Sequence, residues 1–189
     1  MIGRTVAELQ PGDSAELSRR VDSARIGEFV DAVGDYNPIH SDPEFAAATS
    51  FREPIAPGVF TAGLISAVIG TQLPGPGAIY LSQTLRFVKP VKQGDTITAR
   101  VEVLEVIRDR NRVRLSTVCR NQRGEEVLAG EAWVMPSRTT VTYEPEPYPA
   151  PVFFQPWLWA TQAMALWGTL GLSLLAASLR RLPTSAVRR

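Results

Sequence analysis

The chain has 189 residues, enough for one domain with an appendage or at most two small domains, and an ordinary apolar content of 44%. Lysine and arginine (20) nearly balance aspartate and glutamate (19), so no basic excess points to nucleic acid and no acidic run to a disordered tail. One cysteine, Cys119, and one histidine, His40, exclude an internal disulfide framework and leave too few soft ligands for a zinc site, so a reducing, cytoplasmic setting is expected.

Met1 to Gln10 carries Arg4 and Glu8 and lacks an apolar core, so no secretory signal is expected there. Residues 12–21 read as a short strand after a Gly12-Asp13 turn. A helix follows, capped by Asp22 or Ser23, with Ile26, Phe29, Val30 and Val33 forming one apolar stripe. Gly34 stands where a C-cap glycine would end it. That places Asp35 and His40 in the next loop, Asp35-Tyr36-Asn37-Pro38-Ile39-His40, held by Pro38. Histidine titrates near neutrality, so proton transfer is first sought there. A histidine that merely caps a loop is the competing reading.

Ser41-Asp42-Pro43 opens a short connecting helix over 44–48. Pro54-Ile55-Ala56-Pro57-Gly58 then leads into a helix with no charge between Gly58 and Leu73. A helix apolar all round belongs in a core or a membrane, and at about 15 residues this one is too short to span a bilayer. Pro74-Gly75-Pro76-Gly77 breaks the chain. It lacks lysine and no helix follows, so a phosphate-binding loop is rejected. Strand signals run over 78–88, 95–106, 112–120 and 126–135, with turns at 108–111 and 121–124. Alternation in these runs implies an antiparallel sheet with one buried face. The uncharged helix is what can bury that face.

The runs VGDYNPIH, PIAPG and LPGPGAIYLSQTLRFVKPVKQGDTITARVEVLE resemble the MaoC-like, (R)-specific enoyl-CoA hydratases, over roughly residues 5–137. The resemblance implies an α+β hot-dog fold, a curved antiparallel sheet wrapped around a buried central helix. It implies reversible hydration of trans-2-enoyl-CoA to (R)-3-hydroxyacyl-CoA, for fatty-acid metabolism or polyhydroxyalkanoate precursor supply, with no metal or organic cofactor. A 3-hydroxyacyl-carrier-protein or specialised acyl-CoA dehydratase is the nearest alternative, and a non-enzymatic scaffold at a lipid surface the alternative of another class. Asp35 and His40 match the family's acid/base pair and Gly58 the glycine whose N–H polarises the thioester. Asn37 and Ser66 are the candidate substrate-binding positions, though Asn37 also suits a loop-holding role and Ser66 a core-filling one. Pro57 departs from the histidine often found there, which puts a supporting hydrogen bond in doubt but leaves the Gly58 donor.

Independent of the resemblance, a helix N-terminus at Gly58 offers unpaired N–H donors and a positive dipole end to a developing oxyanion. Tyr80 and Phe87 read more readily as core than as substrate contacts. Arg86 and Lys89 could attract CoA phosphates or serve as ordinary surface cations. The resemblance implies a homodimer, and the apolar strand near 78–87 is a plausible pairing edge.

The expected organisation is a hydratase domain over 1–139, a proline-rich linker over 140–151, an apolar helix over 152–182 and a basic tail over 183–189. No charge occurs from Val152 to Leu179, and 23 residues from Trp157 give about 35 Å of helix, enough to cross a hydrocarbon core. Membrane spanning, lying flat on a lipid or storage-granule surface, and packing on protein all stay open. Separating membrane from soluble fractions, with and without 152–189, sets the two lipid readings against packing on protein: a fully soluble full-length chain excludes both.

Overall fold

The computed structural model describes residues 1–145. Strand β1 (Ile2–Gly3) is followed by β2 (Ser14–Arg20), helix α1 (Ser23–Val33), short helix α2 (Pro43–Ala47) and helix α3 (Gly58–Thr71). The long strands β3 (Ile79–Phe87), β4 (Thr96–Ile107), β5 (Arg112–Arg120) and β6 (Glu126–Met135) come next. A last strand, β7 (Val141–Thr142), pairs antiparallel with β1, and the compact unit runs from Met1 to Pro145. The linker from 146 onward and the apolar helix over 152–182 lie outside the described residues.

Strand alternation builds the core. In β4, Ile97, Ala99, Val101 and Val103 are buried, while Thr98, Arg100 and Glu102 face outward. Val113, Leu115, Thr117 and Cys119 do the same in β5. Five strands join in one antiparallel sheet in the order β2-β4-β5-β6-β3, cupped around α3, which lies chiefly against β4. Helix α3 contributes Ile65, Val68 and Ile69, each at most 2% exposed. Side chains of that size each stabilise the fold by roughly 1.5–3 kcal/mol when buried. This is the α+β hot-dog arrangement.

Two details differ from expectation. The uncharged helix is buried on one face only: Val59 is 55% exposed, and Gly63, Ser66 and Gly70 share its open stripe. One open sheet covers only one side of a helix. The strand order also departs from chain order, because β3 pairs with β6 rather than β4. Residues 88–95 carry the chain from the edge strand β3 across to β4, the strand next to the opposite edge. They are fixed there by Ala56 N–H to Val91 O (2.8 Å) and by Val21 N–H to Asp95 O (2.8 Å).

As an edge strand, β3 leaves Tyr80 36% and Phe87 54% exposed rather than in the core. The Tyr80 hydroxyl donates to Gln83 Oε1 (2.7 Å) and the Gln83 amide donates to Thr117 Oγ1 (3.0 Å). That contact satisfies a threonine buried in the sheet's inner face.

The β5–β6 turn gathers Asn121, Lys89 and Arg123 around Glu125, with bonds of 2.7, 2.6 and 2.8 Å. The Asn121 hydrogen bond first, then Lys89 and Arg123, pull the Glu125 carboxyl down to about 2 from 4.5. Its ionised form is therefore favoured on folding. The stability it adds is complete above about 4.5 and is lost as pH falls through about 2. The wild-type thermal midpoint should exceed that of Glu125→Gln at pH 7, and the gap should close as the pH falls between those two values. A gap that persists at the acid end contradicts this.

Candidate active site

Helix α1 delivers the aspartate. Asp22 caps its start by accepting from Arg25 N–H (2.9 Å), and Gly34, at φ 75°, ends it in the left-handed region that glycine enters without penalty. Asp35 follows at once. The chain then makes one 3₁₀ turn, Pro38–His40, whose first N–H groups are served by Asn37: its Oδ1 accepts from Ile39 N–H (3.3 Å). Asn37 thus caps the loop. Of the two roles weighed for Asn37, holding the loop or binding substrate, this hydrogen bond serves the first.

His40 is buried, with its side chain 9% exposed, whereas that of Asp35 is 43% exposed. Nδ1 of His40 lies 2.7 Å from the Ile55 carbonyl oxygen. A carbonyl only accepts, so Nδ1 carries the proton and Nε2 of the neutral ring presents its lone pair. Nε2 faces Asp35 Oδ2 at 3.6 Å, beyond direct hydrogen-bonding range. That gap lets both groups touch one small molecule such as water. The Ile55 carbonyl is fixed in turn, because Ile55 N–H donates to Ile39 O (3.2 Å) and Ala56 N–H to Val91 O.

Three residues past Ile55, α3 begins. Pro57 is its N-cap, and the Gly58 N–H has no hydrogen-bond partner among the described residues. A donor left free at the positive end of a helix of 14 residues is suited to an oxyanion. A Cβ at position 58 would stand 2.8 Å from the Phe87 ring, so a larger residue there would oblige that ring to shift.

Gly58 and Ile55 open onto a cavity of about 280 Å³, closed further by Phe51, Thr61, Phe87 and Val127. Asp35 and His40 do not line it; Ile55 joins them to it. Ser66 stands two turns along α3 on the exposed stripe, away from these walls. Lys89 lines the cavity, but its ammonium is bound to Glu125, and Arg86 pairs with Glu126 at 3.4 Å. Burial pushes the Cys119 thiol up to about 12, so it is no nucleophile at neutral pH. Among the described residues no three His, Cys, Asp or Glu side chains gather to hold a metal, and no helix is long and apolar enough to cross a membrane.

The Ile55 carbonyl and the Phe51, Thr61 and Val127 walls escape sequence reading. A backbone oxygen leaves no mark in residue type, and apolar walls look like any other core.

A curved antiparallel sheet around one helix, with an Asp–His pair tied through Ile55 to the segment that opens that helix, is a hot-dog fold. The MaoC like domain family matches residues 7–122, and the chain belongs to that family. It is 49% identical over 127 residues to the 3-hydroxybutyryl-CoA dehydratase of Methylorubrum extorquens, covering 67% of this chain and 80% of that one. It is 44% identical over 126 residues to the (R)-specific enoyl-CoA hydratase of Aeromonas caviae, covering 67% and 94%. The unliganded R-hydratase PhaJ1 of Pseudomonas aeruginosa superposes with a TM-score of 0.75 at 43% identity, covering 79% and 96%.

Proposed function

We propose that the protein hydrates trans-2-enoyl-CoA to (R)-3-hydroxyacyl-CoA, reversibly. The observation that carries this is the His40 ring, locked by Ile55 so that Nε2 faces Asp35, one short segment away from the free Gly58 N–H. The reacting water hydrogen-bonds to both Nε2 and the Asp35 carboxylate from one side of the pair. Nε2 takes one proton as the oxygen bonds C3, and the C2–C3 π electrons move toward the thioester oxygen, where Gly58 N–H stabilises the enolate. The imidazolium then returns its proton to C2 on the same face. Both the hydroxyl and the new C2 hydrogen thus come from one water. Run backward, the steps dehydrate a 3-hydroxyacyl-CoA, the activity in the name of the Methylorubrum relative.

The reading includes a homodimer. Strand β3 is nine residues long and exposes Ile79, Leu81, Leu85 and Phe87 along an unpaired edge. Such an edge is stable when a second copy pairs with it antiparallel, a self-complementary contact. The apolar stretch over 152–182 is assigned to a lipid or storage-granule surface, where an (R)-3-hydroxyacyl-CoA product suits polyester synthesis. Purified protein and crotonyl-CoA supply the test: loss of the enoyl thioester supports the reading, and an inert protein overturns it.

A further inference from the structure

We infer that the Thr61 hydroxyl is a second hydrogen-bond donor to the thioester oxygen, acting beside the Gly58 N–H. This rests on the enoyl-CoA reading proposed above.

Thr61 is a buried polar side chain that the fold itself leaves unused. The residue is 2% exposed. Its carbonyl oxygen accepts from the Cys119 thiol (3.8 Å), which docks this turn of α3 on β5, but its hydroxyl makes no hydrogen bond among the described residues. Thr71, on the same helix, does what helical threonines commonly do: its hydroxyl donates back to the Ala67 carbonyl (2.7 Å), four residues earlier. Thr71 is exposed and had solvent as an alternative. The buried threonine, which has more to lose from an unmade bond, is the one without a partner. Among the described residues no buried side-chain oxygen or nitrogen is sealed off unpartnered, so the Thr61 hydroxyl keeps access to open space. The space that Thr61 borders is the cavity of about 280 Å³ that Gly58 also lines.

Its place on the helix suits a ligand shared with Gly58. The two residues are three apart on α3, so they lie on one face and about 4.5 Å apart along the axis. A helical side chain leans back toward the N-terminus, which carries the Thr61 hydroxyl toward the free Gly58 N–H. Among the side chains lining the cavity only Thr61 and Lys89 are polar, and the Lys89 ammonium is bound to Glu125. A thioester oxygen that accepts from Gly58 thus has the Thr61 hydroxyl as the side-chain donor left to meet. In an apolar chamber a hydrogen bond to a developing enolate counts for more than it would in water. Two donors also fix the plane of the thioester, where one would leave it free to turn.

The test compares Thr61→Val with Thr61→Ser in the full chain, with crotonyl-CoA as substrate. Valine keeps the shape and deletes the hydroxyl, whereas serine keeps the hydroxyl. Thr61→Val should lower kcat roughly 10²-fold and leave KM within a factor of about three, while Thr61→Ser stays within a factor of about three of wild type in both. A melting curve separates this from a structural role. A hydroxyl that the fold leaves unused can give way to a methyl group without loss, so the thermal midpoint of Thr61→Val should equal or exceed that of wild type. Near-wild-type kcat in Thr61→Val, a loss confined to KM, or a loss that serine does not restore overturns the inference. A valine variant that melts well below wild type, or does not fold, makes Thr61 a structural residue and overturns it too. Wild-type protein that leaves crotonyl-CoA untouched would instead overturn the enoyl-CoA reading.

Discussion

His40→Gln and Asp35→Asn are each expected to lower kcat for crotonyl-CoA hydration by at least 10²-fold, about 2.7 kcal/mol of transition-state stabilisation. Both changes nearly preserve volume, so the thermal midpoint should stay close to wild type and the loss should fall on kcat rather than KM. The reason is positional. Glutamine at 40 can still donate to the Ile55 carbonyl, but it cannot accept a proton where Nε2 stands. Asparagine at 35 keeps an oxygen but loses the charge that orients water and steadies the imidazolium. Steady-state kinetics beside a melting curve separates this from unfolding. Near-wild-type turnover in either variant would remove the Asp–His pair from the mechanism.

Gly58→Pro in a Phe87→Ala background is expected to cost 10²–10³-fold in kcat, the scale of one lost oxyanion donor. Proline deletes the single N–H at issue while fitting the first helical position, where its fixed φ is already suitable. Pro57, at φ −54° and ψ 135°, already has the extended conformation a following proline demands. Removing the Phe87 ring clears the atoms a Cβ at 58 would strike. Gly58→Ala in the same background is the control, since it adds the Cβ but keeps the N–H. Equal activity in the two double variants would show that the Gly58 N–H does not polarise the thioester.

The order of elements was legible because each rests on local physics. Alternation sets β4 and β5 within a residue or so, and Asp22 and Gly34 bracket α1 as a capping pair should. The Asp35–His40 pairing was legible too, since a short proline-fixed loop leaves the two little room to part. What the sequence could not convey was tertiary. Nothing in Ile79–Phe87 says that its neighbour is β6 rather than β4, because that depends on the rim crossing at 88–95. An uncharged helix predicts burial all round, yet the open stripe at Val59, Gly63, Ser66 and Gly70 shows that composition cannot tell a core from a contact surface. Asn37 illustrates the same limit: residue type is silent on whether an amide binds a ligand or caps the turn beside it.

The most direct measurement is the stereochemistry of hydration in deuterium oxide. Purified protein is given crotonyl-CoA, and the 3-hydroxybutyryl-CoA formed is analysed for configuration at C3 and for deuterium at C2. The account predicts the (R) alcohol with one deuterium delivered to C2 syn to the new hydroxyl, from a water held between Asp35 and His40. An (S) product, anti addition or no hydration at all would contradict it.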